Sequence, residues 1–116
     1  ILLCQMEHKT IDEINIVFCS DDYLLSLNQQ FLDHDTYTDI ISFDYTVKKG
    51  ALKGEIYISV DRVKENASLF ESSFIYEIHR VIFHGVLHLC GYKDKLKADQ
   101  TVMRAKEEFY LRKYLS

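Results

Sequence analysis

The nine residues Val81-Ile82-Phe83-His84-Gly85-Val86-Leu87-His88-Leu89 constrain this chain more than any other stretch. Six of them are large and apolar, so the run predicts a helix buried on most sides. Gly91, two residues further on, is a good residue to end it. Two imidazoles four residues apart on such a helix stand about 40° apart around its axis. Burying them there without partners is costly, whereas one ion can join them from successive turns. Asp94 follows the glycine by three residues, where a chain that turns back can bring a carboxylate to the same ion.

The full pattern, His84-x3-His88-x2-Gly91-x2-Asp94, has the ligand spacing of the extended metzincin motif with aspartate in the third place. Two imidazole nitrogens and one carboxylate oxygen suit a single Zn2+ ion that keeps a fourth position open for water. Such an ion acidifies its water and polarises a phosphoryl or carbonyl oxygen. A zinc peptidase of this spacing carries glutamate directly after the first histidine as general base. Here that residue is Gly85, which carries no side chain to take a proton, so the peptidase reading is disfavoured.

Composition narrows the field further. With 47% apolar and 28% charged residues in 116, the chain reads as one globular domain, 1–116. No apolar run approaches the ~20 residues of a membrane span. Three cysteines without a CxxC spacing argue against a disulfide scaffold and for a reducing, cytoplasmic setting. The net charge of −4 argues against sequence-blind nucleic-acid binding by the whole surface. Charge is sorted, however. Residues 1–45 hold one lysine against nine carboxylates, and the remainder carries an excess of cations, so an anionic partner would approach the C-terminal part.

Periodicity predicts an α+β fold: three or four strands in a sheet packed by about five helices, mainly on one face. Residues 1–9 read as the end of a helix. Ile14, Ile16 and Phe18 predict a strand with one well-buried face. Ser20 caps a helix whose apolar stripe is Leu24, Leu25, Leu27, Phe31 and Leu32, followed by a polar turn over 33–37. Strands over 39–45 and 55–60 form a hairpin or neighbouring strands around Lys48-Lys49-Gly50. Asp61 caps a helix to about Leu69, Ser72 or Ser73 caps the helix that carries the histidines, and a last helix spans about Ala98 to Leu115.

The run from His84 to Tyr92, HGVLHLCGY, resembles the signature of the bacterial YbeY family of rRNA-maturation endoribonucleases. Thr38-Asp39-Ile40-Ile41-Ser42-Phe43 is similar to that family's T-D-V-L-S-F strand, Gly54-Glu55-Ile56 to its G-D-I strand start, and Met103 with Glu107 to the ending of its last helix. The resemblance implies an α+β fold with one zinc, and a first strand that this chain lacks. It also implies single-strand-specific cleavage of RNA in small-subunit rRNA maturation and ribosome quality control. Its partners would be rRNA precursors, the small ribosomal subunit and assembly factors, and no membrane. Two departures matter. The family usually has Asp-His after Gly-Tyr, so Asp94 takes the place of a third histidine. The arginine that commonly precedes its T-D-V-L-S-F strand aligns with Leu32.

Other polar residues are weaker candidates. Arg80, one turn before His84, could clamp a phosphate, or pair with Glu77 or Glu71. Lys48, Lys49 and Lys53 could contact RNA backbone, or serve solubility alone. His34 reads as a surface-turn histidine before it reads as a base or ligand, and His79 as a partly exposed helix residue. Cys90 and Met103 read as core. The alternative to the enzyme is a ribosome-biogenesis binding factor whose zinc is structural.

Overall fold

The computed structural model describes residues 2–32 and 38–115. In chain order the elements are α1 (Leu2–Met6), β1 (Thr10–Cys19), α2 (Asp21–Leu32), β2 (Ile40–Asp44), β3 (Ala51–Ser59), α3 (Val60–Leu69), α4 (Phe74–Leu89) and α5 (Lys97–Leu115). The three strands form one sheet in the order β1-β3-β2, with β1 parallel and β2 antiparallel to β3. The α+β class, the hairpin between β2 and β3 and the five helices agree with the sequence reading.

The central strand β3 alternates from Ala51 to Ile58. Leu52, Gly54, Ile56 and Ile58 are buried on one face, and Lys53, Glu55 and Tyr57 point to the other. On the first face Ile56, Ile58, Leu87, Val63 and Val81 are almost inaccessible, joined by Leu3 and Cys4 from α1 and Met103, Tyr110 and Leu111 from α5. Each such side chain contributes about 1.5–3 kcal/mol by leaving water. The second face is not bare: Leu24 and Leu27 of α2 pack on Ile41, with Phe43, Tyr57 and Cys19 around them. The expectation of helices on one main face therefore misses α2, which the β1-to-β2 connection carries across to the other side.

Three local readings change. β1 is an edge strand, and Ile16 and Phe18, expected on a well-buried face, are 38% and 53% exposed. The helices centre on β3, and Ile11, Ile14 and Ile16 instead line an apolar groove of about 470 Å3 with Ile82, Phe83 and Val86. The cap of α3 is Ser59, whose hydroxyl accepts the Arg62 amide, and Asp61 lies inside the first turn. In α2, Phe31 and Leu32 are largely exposed: Phe31 meets the sheet only edge-on at Phe43, and Leu32 borders an open cleft. Ser20 does cap α2, and Ser73 rather than Ser72 caps α4. The polar turn over 33–37, and His34 with it, lies outside the described residues.

Two glycines let α4 sit close to the sheet. A Cβ on Gly54 would stand 2.6 Å from the Phe43 carbonyl oxygen and 2.9 Å from Leu89 Cδ2; one on Gly85 would stand 2.8 Å from Ile40 Cδ1 and 2.9 Å from Ile56 Cγ2. At Gly54 the obstacle is backbone, which cannot rotate away. Gly54→Ala is expected to cost about 2–3 kcal/mol, read as a lower urea midpoint at unchanged slope.

Candidate metal centre

Helix α4 positions the site through both of its ends. Ser73 accepts the Tyr76 amide at the N-terminus. At the C-terminus Gly91, at φ 110°, allows the Gly91 amide to reach the His88 carbonyl and the Tyr92 amide to reach the Leu87 carbonyl. This Schellman arrangement reverses the chain and returns Asp94 to the helix it has just left.

His84 and His88 share one face of α4, their ring centroids 4.6 Å apart. Each imidazole is anchored through Nδ1: His84 to Glu107 Oε2 at 2.6 Å and His88 to the Tyr92 carbonyl at 2.9 Å. With those hydrogens placed on Nδ1, both Nε2 atoms present lone pairs. The two Nε2 atoms are 3.0 Å apart, and each is 3.2 Å from Asp94 Oδ2. Three potential ligand atoms converge at a spacing that a single cation can bridge. Donors bound at 2.0–2.1 Å to a tetrahedral zinc stand roughly 3.3 Å apart, so the triangle fits that ion. Among the described residues this is the group of three able to hold a metal. Asp94 is 40% exposed, which leaves the fourth direction open toward solvent.

A second layer lies beneath His84. Glu107, 2% exposed on α5, accepts from His84 Nδ1 with one oxygen and from Arg80 Nη1 with the other, at 3.0 Å. Arg80 forks onto Glu77 through Nε and Nη2 at 3.0 and 2.7 Å, and lies 3.8 Å from Asp39. Burial opposes the charge on Arg80, but Glu77 and Glu107 outweigh it and hold the guanidinium above its ordinary pKa. Burial likewise pushes the Glu107 carboxyl up, while His84 and Arg80 together bring it below the ordinary value. Two glutamates around one arginine, with Asp39 and Asp94 beside them, leave the centre short of positive charge, which favours a divalent cation.

The triangle opens into a cleft of about 760 Å3 lined by Asn28 and Leu32 of α2, Ile40, Ser42 and Asp44 of β2, and Lys95. The sequence pattern and the structure thus bring His84, His88 and Asp94 together. Arg80 lies in the cleft wall with its donors on Glu77 and Glu107, and Glu71 is not among its partners. Lys48, Lys49 and Lys53 belong to the hairpin and do not line the cleft. His79 bonds the Ile75 carbonyl through Nδ1 and packs its ring on Phe83. Met103 is buried in the core and also borders a small cavity with His84, Asp94 and Glu107. Gly85 faces Ile40 and Ile56, so a glutamate there would strike the sheet before it could serve as a base.

Residues missed from sequence support the site from behind. The sequence marks Glu107 only through the resemblance. Its legible signal was a carboxylate in the middle of the buried stripe Met103, Tyr110 and Leu111. Glu7, after α1, accepts from Tyr92 Oη at 2.6 Å, from Lys106 Nζ at 3.1 Å and from Tyr110 Oη. It thereby pins the loop whose Tyr92 carbonyl orients His88. Burial raises the Glu7 carboxyl, and the three donors outweigh it, so its folded pKa lies below the ordinary ~4.3. A depressed carboxylate stabilises the fold above its unfolded pKa and loses that contribution as pH falls through the folded one. Glu7→Gln is accordingly expected to cost about 1–3 kcal/mol at pH 7, and the gap to wild type should close in acid. Urea titrations at pH 7 and pH 3 with an undiminished gap would contradict this.

Fold and site define a small α+β domain with a His/His/Asp cluster, suited to a divalent metal, at the end of its central helix. The family model described as Endoribonuclease YbeY matches residues 2–115. The chain is 54% identical over 106 residues to Endoribonuclease YbeY of Cytophaga hutchinsonii, covering 91% of this chain and 74% of that protein. It is 56% identical over 102 residues to the protein of that name from Flavobacterium psychrophilum, covering 88% and 72%. The solution structure of TM1509 from Thermotoga maritima superposes with a TM-score of 0.69 at 31% identity, covering 96% of this chain and 73% of that one. The chain belongs to the YbeY family.

Proposed function

We propose that this protein is a cytoplasmic, single-strand-specific endoribonuclease of small-subunit rRNA maturation and ribosome quality control, acting as one domain over 1–116 with one zinc held by His84, His88 and Asp94. The observation that carries this reading is the triangle of three acceptors, with both imidazoles already anchored through their other nitrogens. When bound, zinc supplies Lewis-acid stabilisation of phosphoryl charge and a nucleophile from water near neutral pH.

The chain's own residues do the rest. Glu107 and the Tyr92 carbonyl hold the two rings in the tautomer that points Nε2 outward. Arg80 fixes Glu107, and so acts on the centre through that carboxylate. Lys95 at the cleft rim meets backbone phosphate, while Lys48, Lys49 and Lys53 contact RNA from the hairpin. Leu32, in place of the family's usual arginine, gives the cleft an apolar wall there. Among the described residues no helix is long and apolar enough to cross a membrane.

The test is cleavage by protein loaded with one equivalent of zinc, offered single-stranded RNA and the same sequence as a duplex. Cleavage of the first and sparing of the second is expected. Full metal occupancy with no cleavage of either would overturn the enzyme and leave a binding factor with structural zinc.

A further inference from the structure

The sheet face opposite α4 carries an aromatic cluster whose inner rings, Phe43 and Tyr57, pack on the second core and whose outer rings neither that core nor the metal centre accounts for. Phe43 and Tyr45 stand two residues apart on one face of the β2 edge, their rings within 4° of parallel and 6.4 Å between centroids. Tyr57 of β3 and Phe31 of α2 each meet Phe43 edge-on at 5.8 Å, and Tyr23 lies 6.5 Å from Tyr57. Leu24, Leu27 and Ile41 already form the core beneath α2. The outer rings Tyr23, Phe31 and Tyr45 remain 50%, 59% and 49% exposed. Several large aromatics left together in water mark a binding surface rather than unfinished packing.

Charge beside the rings specifies the ligand. Tyr45 is bonded through its amide to the Lys53 carbonyl, and Lys48 and Lys49 follow it in the hairpin turn. Among the described residues none of these three lysines forms an ion pair. Glu13 of the β1 edge pairs across from Lys53. Both glutamates, Glu13 and Glu55, line one pocket with Lys53 and Tyr45, and Glu55 accepts from Tyr45 Oη at 3.1 Å. The uncompensated cations on this side are therefore Lys48 and Lys49 of the turn. Flat rings with the exposed Lys48-Lys49 turn beyond them suit the bases and phosphates of a single strand. The face is also continuous with the cleft. Phe43 points to the ring side of β2 and Ile40, Ser42 and Asp44 line the cleft, Ile41 packs under α2 and also borders the cleft, and β2 is the last strand of the sheet.

We propose that Phe31, Phe43 and Tyr45, backed by Tyr57 and Tyr23, form a stacking platform for bases of single-stranded RNA, whose backbone is held by Lys48, Lys49 and Lys53 and rounds the edge of β2 into the metal cleft. This rests on the endoribonuclease reading and adds to it a second contact region outside the cleft.

The test uses zinc-loaded protein and an unstructured, cleavage-resistant 2′-O-methyl RNA of about 12 nucleotides, long enough to span both regions. Tyr45→Ala and Phe31→Ala are each expected to weaken binding roughly five- to tenfold, and Tyr45→Phe to restore it, because the ring rather than the hydroxyl stacks. The same RNA carrying 5-iodouridine is expected to photo-crosslink to Tyr45 or Phe43. Replacing the three lysines with glutamine should flatten the salt dependence of binding. Both alanine variants, folded and binding as wild type, with crosslinks confined to the cleft, would overturn the platform while wild-type cleavage left the endoribonuclease reading intact. Alanine variants that kept RNA affinity but lost a protein contact would also overturn it. Wild-type protein that neither bound nor cut RNA would remove both.

Discussion

His88→Ala is expected to abolish stable zinc binding and, with it, RNA cleavage, while leaving the protein folded. The ring is 28% exposed, and its one structural bond, to the Tyr92 carbonyl, joins it to a loop that the Schellman turn and Glu7 also hold. The fold therefore loses little. The proposed centre loses one of three donors, and affinity should drop by more than the ~10–100-fold that removal of an outer partner costs. At zinc concentrations about a thousandfold above the wild-type Kd, the ion adds about 4 kcal/mol to wild-type stability, so added zinc should raise the wild-type melting temperature and leave the variant unmoved. Metal analysis by mass spectrometry, melting with and without zinc, and cleavage of single-stranded RNA check the three parts. Equal cleavage by variant and wild type would betray a contaminating nuclease. Asp94→Ala should behave like His88→Ala, whereas Asp94→His, which restores the donor common in the family, should keep the ion. An Asp94→Ala protein with full occupancy would remove aspartate from the ligand set.

The second large effect is expected at Glu107. Glu107→Leu leaves His84 Nδ1 without its acceptor and takes from Arg80, 15% exposed, one of the two carboxylates that balance it. Removing one member of a buried charged network costs about 3–5 kcal/mol. That is a large part of the ~5–15 kcal/mol that holds a domain of this size together. Glu107→Gln retains the volume and an acceptor, so it should cost less in stability while still lowering metal affinity about tenfold or more. The double variant Arg80→Met/Glu107→Leu should recover part of the loss, because it removes the unbalanced cation along with its partner. Urea denaturation of the four proteins measures the coupling. Strictly additive losses would mean that Arg80 and Glu107 act independently, contrary to the geometry.

Much of this structure was readable where chemistry is local. A helix is a one-dimensional object, so the spacing His84-x3-His88 already places two rings on one face, and Gly91 already marks where the chain can turn. The cap Ser20 and the start of α4 at Ser72 or Ser73 are of the same kind, since each depends on neighbours only a few residues away. Asp61 shows the limit. Both it and Ser59 are good caps, and the choice went to the residue whose backbone the end of β3 leaves extended.

Contacts between elements were not readable in this way. Glu107 lies 23 positions from His84, and Glu7 lies 85 from Tyr92. Glu107 carries one local sign, its place in the stripe of Met103, Tyr110 and Leu111, whereas nothing local distinguishes Glu7 from the solvated acids around it until α1 and α5 pack on α4. The exposure of Ile16 and Phe18 belongs here as well: an apolar alternation states that a face can be buried, and only the arrangement of helices states how much of it is.

The donor atoms and their order along the chain are thus properties of the amino-acid string. Their convergence into a triangle, the tautomer that aims them and the cleft they face arise from packing. Covalent spacing governs what lies within one or two turns of a helix, while side chains from distant segments meet only after the sheet and helices have closed around a common core.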